Sequence, residues 1–193
     1  MILEEYDCEV SSFFFTDPSE HSYCPESDIS ITNLSYSLSL DIAAVTFSNG
    51  RAGYLSSNDY FRPGTVHALL APNVRSATCA SINPRYHLLV FGTEEGEIMV
   101  YTLNYDNGLL NLSHKVVGLT DWRDGGNTPD KTRIQGVFWT PDGCCLCATY
   151  ASGNIYMWSV YGTFLYSCAL PTTHGCWDAE GYNMWAVSGV QVR

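Results

Sequence analysis

Trp139-Thr140-Pro141-Asp142-Gly143-Cys144-Cys145-Leu146-Cys147-Ala148-Thr149-Tyr150-Ala151-Ser152-Gly153-Asn154-Ile155-Tyr156-Met157-Trp158 is the stretch that decides the fold. It reads as the end of one strand, a turn at Thr140-Pro141-Asp142-Gly143, a second strand, a turn at Ala151-Ser152-Gly153, and a third strand. Proline pre-sets φ in the first turn and Asp-Gly tolerates the tight reversal; glycine supplies a positive φ in the second. An earlier stretch aligns with it without a gap when Pro84 is placed on Pro141, a shift of 57 positions. Ile82 then falls on Trp139, Leu89 on Leu146, Gly96 on Gly153, Ile98 on Ile155 and Tyr101 on Trp158. Turn chemistry and position agree in both copies, which marks an internal repeat.

Further copies lie on either side. Before the pair, a strand over Asp41 to Phe47, a turn at Ser48-Asn49-Gly50 and a strand over Arg51 to Ser57 place Ala52 and Leu55 on Ile98 and Tyr101. After it, a copy begins near Trp177, turns at Ala179-Glu180-Gly181 and continues as a strand from Tyr182 to Ser188. Fourth strands are expected at Leu110 to Val117 and Thr163 to Leu170. The pattern is all-β with no helical period. Repeats of four short strands point to the blades of a β-propeller, because a sandwich has no reason to repeat its turn chemistry. The strands Leu88 to Phe91 and Ile155 to Trp158 are apolar on both faces, as blades stacked between neighbours require.

We read residues 29–193 as a partial propeller of WD-type blades, about three and an incomplete one. Residues 1–28 form an acidic segment carrying eight carboxylates, with no Lys or Arg before Arg51. Phe13, Phe14 and Phe15 interrupt that segment and suit one short strand. Propellers close with about four to eight blades. The sequence is therefore expected to belong to a longer polypeptide or to have its open ends covered by another chain.

Composition narrows function. The 193 residues are 46% hydrophobic and only 15% charged, enough apolar material for a sizeable core. A net charge of −11 with nine Lys and Arg disfavours nucleic acid, whose phosphates need clustered cations. No apolar run approaches the ~20 residues of a membrane span, and no signal peptide opens the chain, so a cytoplasmic protein is expected. The eight cysteines are irregularly spaced and read as reduced; Cys144, Cys145 and Cys147 sit close together, but no further Cys-x-x-Cys pair or His-x-x-x-His partner completes a zinc site.

The run Trp139-Thr140-Pro141-Asp142-Gly143, followed by Trp158-Ser159-Val160-Tyr161-Gly162, resembles the amino-terminal propeller of the Ric-type subunit of the Golgi Rab guanine-nucleotide exchange complex. The similarity continues in order through Asp41 to Gly53, Tyr86 to Gly92, Leu112-Ser113-His114-Lys115 and Trp177 to Gly189, about residues 41 to 189. Trp158-Ser159 and Tyr101-Thr102 stand where generic WD blades end in Trp-Asp. The segment Asp121 to Lys131 is a polar, Gly-rich loop with no counterpart. The resemblance implies a propeller scaffold associated with a smaller partner subunit on Golgi membranes. It also implies activation of a Rab-type GTPase in retrograde endosome-to-Golgi and intra-Golgi transport. It carries over no exchange-active residue.

The sequence offers no catalytic, cofactor-binding or metal-binding residue to name. It lacks a phosphate-binding Gly-Lys-Ser/Thr loop, a Gly-x-Ser-x-Gly elbow and a His-Glu-x-x-His helix. His87 and His114 fall in expected strands and read as packed or edge residues. Glu94, Glu95 and Glu97 read as a solvated acidic turn, with contact to a basic partner as the alternative. Trp139, Trp158 and Trp185 are expected to pack, whereas Tyr60, Phe61, Tyr105 and Trp122 are candidates for partner contact. Two rival functions remain. One is a WD-type adaptor in an unrelated assembly; the other is an enzyme using a propeller's central channel, for which no convergent acid, base or nucleophile is found.

Overall fold

The repeat spacing fixes the strand boundaries. In a computed structural model that describes residues 13–17, 20–23, 29–56, 66–104, 108–120, 125–170, 172, 174–177 and 183–187, the described residues form strands and turns with no helix. The second unit comprises β7 (Ala77–Asn83), β8 (Leu88–Thr93), β9 (Glu97–Leu103) and β10 (Leu110–Val117). The third comprises β11 (Ile134–Trp139), β12 (Cys145–Tyr150), β13 (Asn154–Ser159) and β14 (Phe164–Ala169). Each starting strand in the third unit lies 57 positions after its counterpart, until the longer β9–β10 connection breaks the register.

The first unit is β3 (Ile31–Ser37), β4 (Ile42–Phe47), β5 (Ala52–Ser56) and β6 (Val66–Leu70). A hairpin of β1 (Phe13–Asp17) and β2 (Glu20–Tyr23) extends its outer edge, β1 lying parallel to β6 with Phe13 opposite Val66. A last pair, β15 (His174–Trp177) and β16 (Met184–Val187), begins a fourth unit. Within each unit consecutive strands run antiparallel in sequence order. The first strands stand side by side, β3 next to β7, β7 next to β11 and β11 next to β15. This is an arc of propeller blades.

The two-sided burial expected of the middle strands has a simple cause: alternate residues face opposite neighbours. From β8 and β9, Leu89, Phe91, Met99 and Tyr101 pack on Ile42, Ala44, Ala52 and Tyr54 of the first blade. Leu88, Val90, Ile98 and Val100 pack the other way, on Ile134, Leu146, Ala148, Tyr150, Tyr156 and Trp158 of the third. Trp158 is buried and Trp139 half-buried against that second cluster, so both pack as expected. The side chain of Trp185 lies outside the described residues.

Two backbone devices repeat with the blades. The register slips near the start of β3, β7 and β11, between Ile31 and Asn33, Ala77 and Cys79, and Ile134 and Gly136. These bulges twist the innermost strands at equivalent positions. The turns between second and third strands end in glycines at positive φ, Gly50 (78°) and Gly96 (79°). A Cβ there would sit 2.0 Å from the Arg75 carbonyl oxygen or 2.2 Å from that of Asp130, so the following blade's entry loop rests directly on the glycine.

One expectation is corrected. His87 is not in a strand: it closes the turn between β7 and β8 with φ 54°, exposed, in the left-handed region that Asp41 also occupies in the matching turn of the first blade. The turn demands a left-handed residue, and histidine tolerates that backbone better than β-branched residues do.

Candidate protein-interaction face

The turns joining first to second strands lie on one side of the arc, together with the turn before β14. Residues at equivalent positions anchor them: Ser37, Asn83 and Thr140 end or follow the first strands. Asn83, fully buried, accepts from the amides of Arg85 (3.1 Å) and Tyr86 (3.2 Å) and donates through Nδ2 to the Gly143 carbonyl (2.8 Å). The second and third turns are thereby tied. Gly143 (φ 70°) must be glycine here, since a Cβ would come within 2.7 Å of Asn83 Oδ1. In the third blade Thr140 donates to Asp142 Oδ1 at 2.6 Å and accepts from the Cys145 amide at 3.0 Å. The Thr140 hydroxyl, with the Cys144 amide, holds the Asp142 carboxyl below its usual range.

On this frame stand exposed apolar and aromatic side chains. Leu38 is 84% exposed, Tyr161 82% and Tyr36 54%. Tyr36 donates to Asp41 Oδ1 at 2.8 Å, and that hydrogen bond raises the phenol's pKa. Arg85 donates to the Asp142 carbonyl at 3.0 Å and lies 5.6 Å over the ring of Tyr86, whose hydroxyl meets Cys144 Sγ at 3.9 Å. Tyr36, Leu38, Ile82 and Pro84 line an open hollow of about 510 Å³. Rigid tyrosines, an arginine stacked on one of them and a neighbouring hollow are the groups that anchor protein interfaces. The arrangement suits binding.

Elsewhere the expected sites take ordinary structural roles. His114, half-buried on β10, packs against Gly162 and bonds Ser113 Oγ at 3.0 Å; burial lowers its pKa. Of the acidic turn, Glu94 pairs with Arg133 (3.5 Å), Glu97 with Lys115 (3.1 Å), and Glu95 accepts from Ser76. These exposed carboxylates already have partners within the chain. Among the described residues no group of three His, Cys, Asp or Glu is placed to hold a metal ion. Tyr60, Phe61, Tyr105 and Trp122 lie outside the described residues.

Sequence reasoning missed Asp130, part of the loop that had no counterpart. It is buried between β10 and β11. Its Oδ1 accepts from the Thr132 amide (3.1 Å) and hydroxyl (2.6 Å), and its Oδ2 from Ser152 (2.6 Å) and Tyr156 (2.9 Å). Burial pushes this carboxyl up, but those hydrogen bonds outweigh it and hold the acid below its usual range. Beside it Tyr150 donates to the Gly96 carbonyl (2.9 Å) and accepts from the Gly118 amide (3.1 Å). The signal available was the cluster of Thr132, Ser152 and Tyr156, which only the folded repeat brings around one carboxylate.

Comparison with known proteins agrees with this architecture. A family described as "Anaphase-promoting complex subunit 4 WD40 domain" matches residues 80–173. Mouse "Guanine nucleotide exchange factor subunit RIC1" is 28% identical over 186 residues, covering 88% of this chain, and the human protein of that name is 28% identical over 185. A Caenorhabditis elegans guanine nucleotide exchange factor subunit is 35% identical over 94 residues, 48% of this chain. The chain spans 13% of the length of the mouse and human relatives. Among solved structures, a chain of a mitotic checkpoint complex superposes with TM-score 0.64 at 14% identity, over 89% of this chain and 49% of that one. A protein from Lactobacillus plantarum gives 0.59 at 19%, over 82% and 48%.

Proposed function

Because this chain is a relative of the Ric-type WD-repeat subunits of guanine nucleotide exchange factors, we propose that it is a propeller scaffold in an exchange complex that activates a Rab-type GTPase on Golgi membranes. It acts by contact. In this reading the propeller joins a smaller partner subunit, sits peripherally on the Golgi surface from the cytoplasmic side, and serves retrograde endosome-to-Golgi and intra-Golgi transport. The observation that carries the reading is the 28% identity sustained over 88% of the chain. The rim of Tyr36, Leu38, Tyr86 and Tyr161 supplies a contact surface of the right chemistry.

The test is GDP release. The polypeptide carrying this propeller, assembled with its partner subunit, is mixed with a Golgi Rab loaded with a fluorescent GDP analogue. Release accelerated by the complex and lost when the propeller is deleted supports the reading; equal release without the propeller refutes the scaffold role. A second reading, a WD-type adaptor in another assembly, is favoured by the match to a WD40 domain described for an anaphase-promoting complex subunit. Under that reading the chain co-purifies with a stable assembly that contains no GTPase.

A further inference from the structure

We propose that Thr128 is a phosphorylation site for a proline-directed serine/threonine kinase, and that the second Thr-Pro step of the chain, Thr140-Pro141, is shielded from the same enzyme. The chain contains two Thr-Pro dipeptides and no Ser-Pro. Thr128 is followed by Pro129, Asp130 and Lys131, with Lys131 one of only two lysines. Proline fixes the backbone just after the acceptor and removes its amide, and the lysine three residues on offers a cation to an acidic kinase subsite.

The fold separates the two threonines. Thr128, Pro129 and Lys131 are exposed. The Thr128 carbonyl accepts from the Thr120 amide (3.0 Å) and hydroxyl (3.3 Å), Pro129 forms a bridge with Leu119, and the next residue, Asp130, is anchored by its buried side chain, so the segment is held in place without the Thr128 side chain. The Thr128 hydroxyl makes no hydrogen bond to another described residue. The Thr140 hydroxyl is half-buried and committed to Asp142 and Cys145. To reach a kinase it must break the turn that joins β11 to β12.

In the reaction, Thr128 Oγ bonds to the γ-phosphorus of ATP, the bond to ADP breaks, and the hydroxyl proton passes to the kinase's base. The product adds about −1.5 to −2 charge. Exposed Lys131 stands three residues on to meet it, while the Asp130 carboxylate is turned inward on Ser152 and Tyr156. The modification therefore changes surface charge at this edge of the blade and leaves the fold in place. It goes beyond the exchange-complex reading and holds whichever partner the rim takes.

The experiment incubates the folded chain with a purified cyclin-dependent-class kinase and Mg-ATP and maps phosphate by fragmentation mass spectrometry. The expected result is one phosphate, on Thr128. T128A abolishes it, T140A leaves it unchanged, and K131A slows it about tenfold, the loss of one charge-assisted contact. Peptides covering 123–133 and 136–146 are both expected to be substrates. An unmodified Thr128 in the folded chain, or Thr140 modified there as fast as in its peptide, overturns the proposal.

Discussion

Replacing Asp130 by Asn tests whether one buried carboxylate locks the second and third blades together. The side chain receives two donors from Thr132 and one each from Ser152, Tyr156 and Asn154, at 2.6 to 3.4 Å. Hydrogen bonds to a charged group contribute about 1.5–3 kcal/mol each, but the losses do not add. Asn keeps one carbonyl oxygen for the Thr132 pair, and the two hydroxyls can rotate to accept from its amide. A net destabilisation of about 2–3 kcal/mol is the outcome for D130N. The pH dependence carries the sharper sign. Asp130 has a folded pKa below its unfolded value, so its stabilisation is complete above about pH 4, the ordinary carboxylate range, and is lost as pH falls through the lower folded value. Urea denaturation followed by tryptophan fluorescence, repeated between pH 7 and pH 2.5, should show D130N losing less stability on acidification than the parent. Equal losses in both proteins would refute the argument.

Gly96→Ala and Gly125→Ala form a matched pair. Both glycines have positive φ, 79° and 77°, but a Cβ on Gly96 would meet the Asp130 carbonyl at 2.2 Å whereas nothing lies within 4 Å of one on Gly125. Urea midpoints should place the loss near 1–2 kcal/mol for G125A and at about 3 kcal/mol or more for G96A. Thiol labelling with a maleimide should modify exposed Cys176 quickly and buried Cys79, whose pKa burial pushes up to about 11, roughly hundredfold more slowly. The double variant L38A/Y161A should leave stability within about 0.5 kcal/mol, yet weaken capture of the partner subunit or GTPase about tenfold or more in a pull-down titration.

The repeat was legible because Leu88 to Tyr101 and Cys145 to Trp158 keep their turns at the same offsets, so each strand of one blade locates its counterpart. The expected outer strands at Leu110 to Val117 and Thr163 to Leu170 match β10 and β14 within a residue. Less of the interaction face could be read. Exposure of Leu38 and Tyr161 depends on which turn ends share one side of the arc, and a strand pattern alone does not give that. His87 was misplaced because a histidine beside Leu88-Leu89-Val90 continues an apolar run, while its left-handed backbone leaves no trace in the sequence. Asp130 was invisible for a different reason. A lone acid in a Gly-rich loop reads as solvated until Ser152 and Tyr156, from another turn and strand, close over it.

The measurement that bears most directly on the account is affinity purification of the native protein, with mass spectrometry of its intact mass and of its companions. The account predicts a polypeptide several times larger than 21.4 kDa that brings down one smaller subunit and a Golgi Rab in its GDP-bound or nucleotide-free form. Recovery with neither companion, or within an assembly that holds no GTPase, would contradict it.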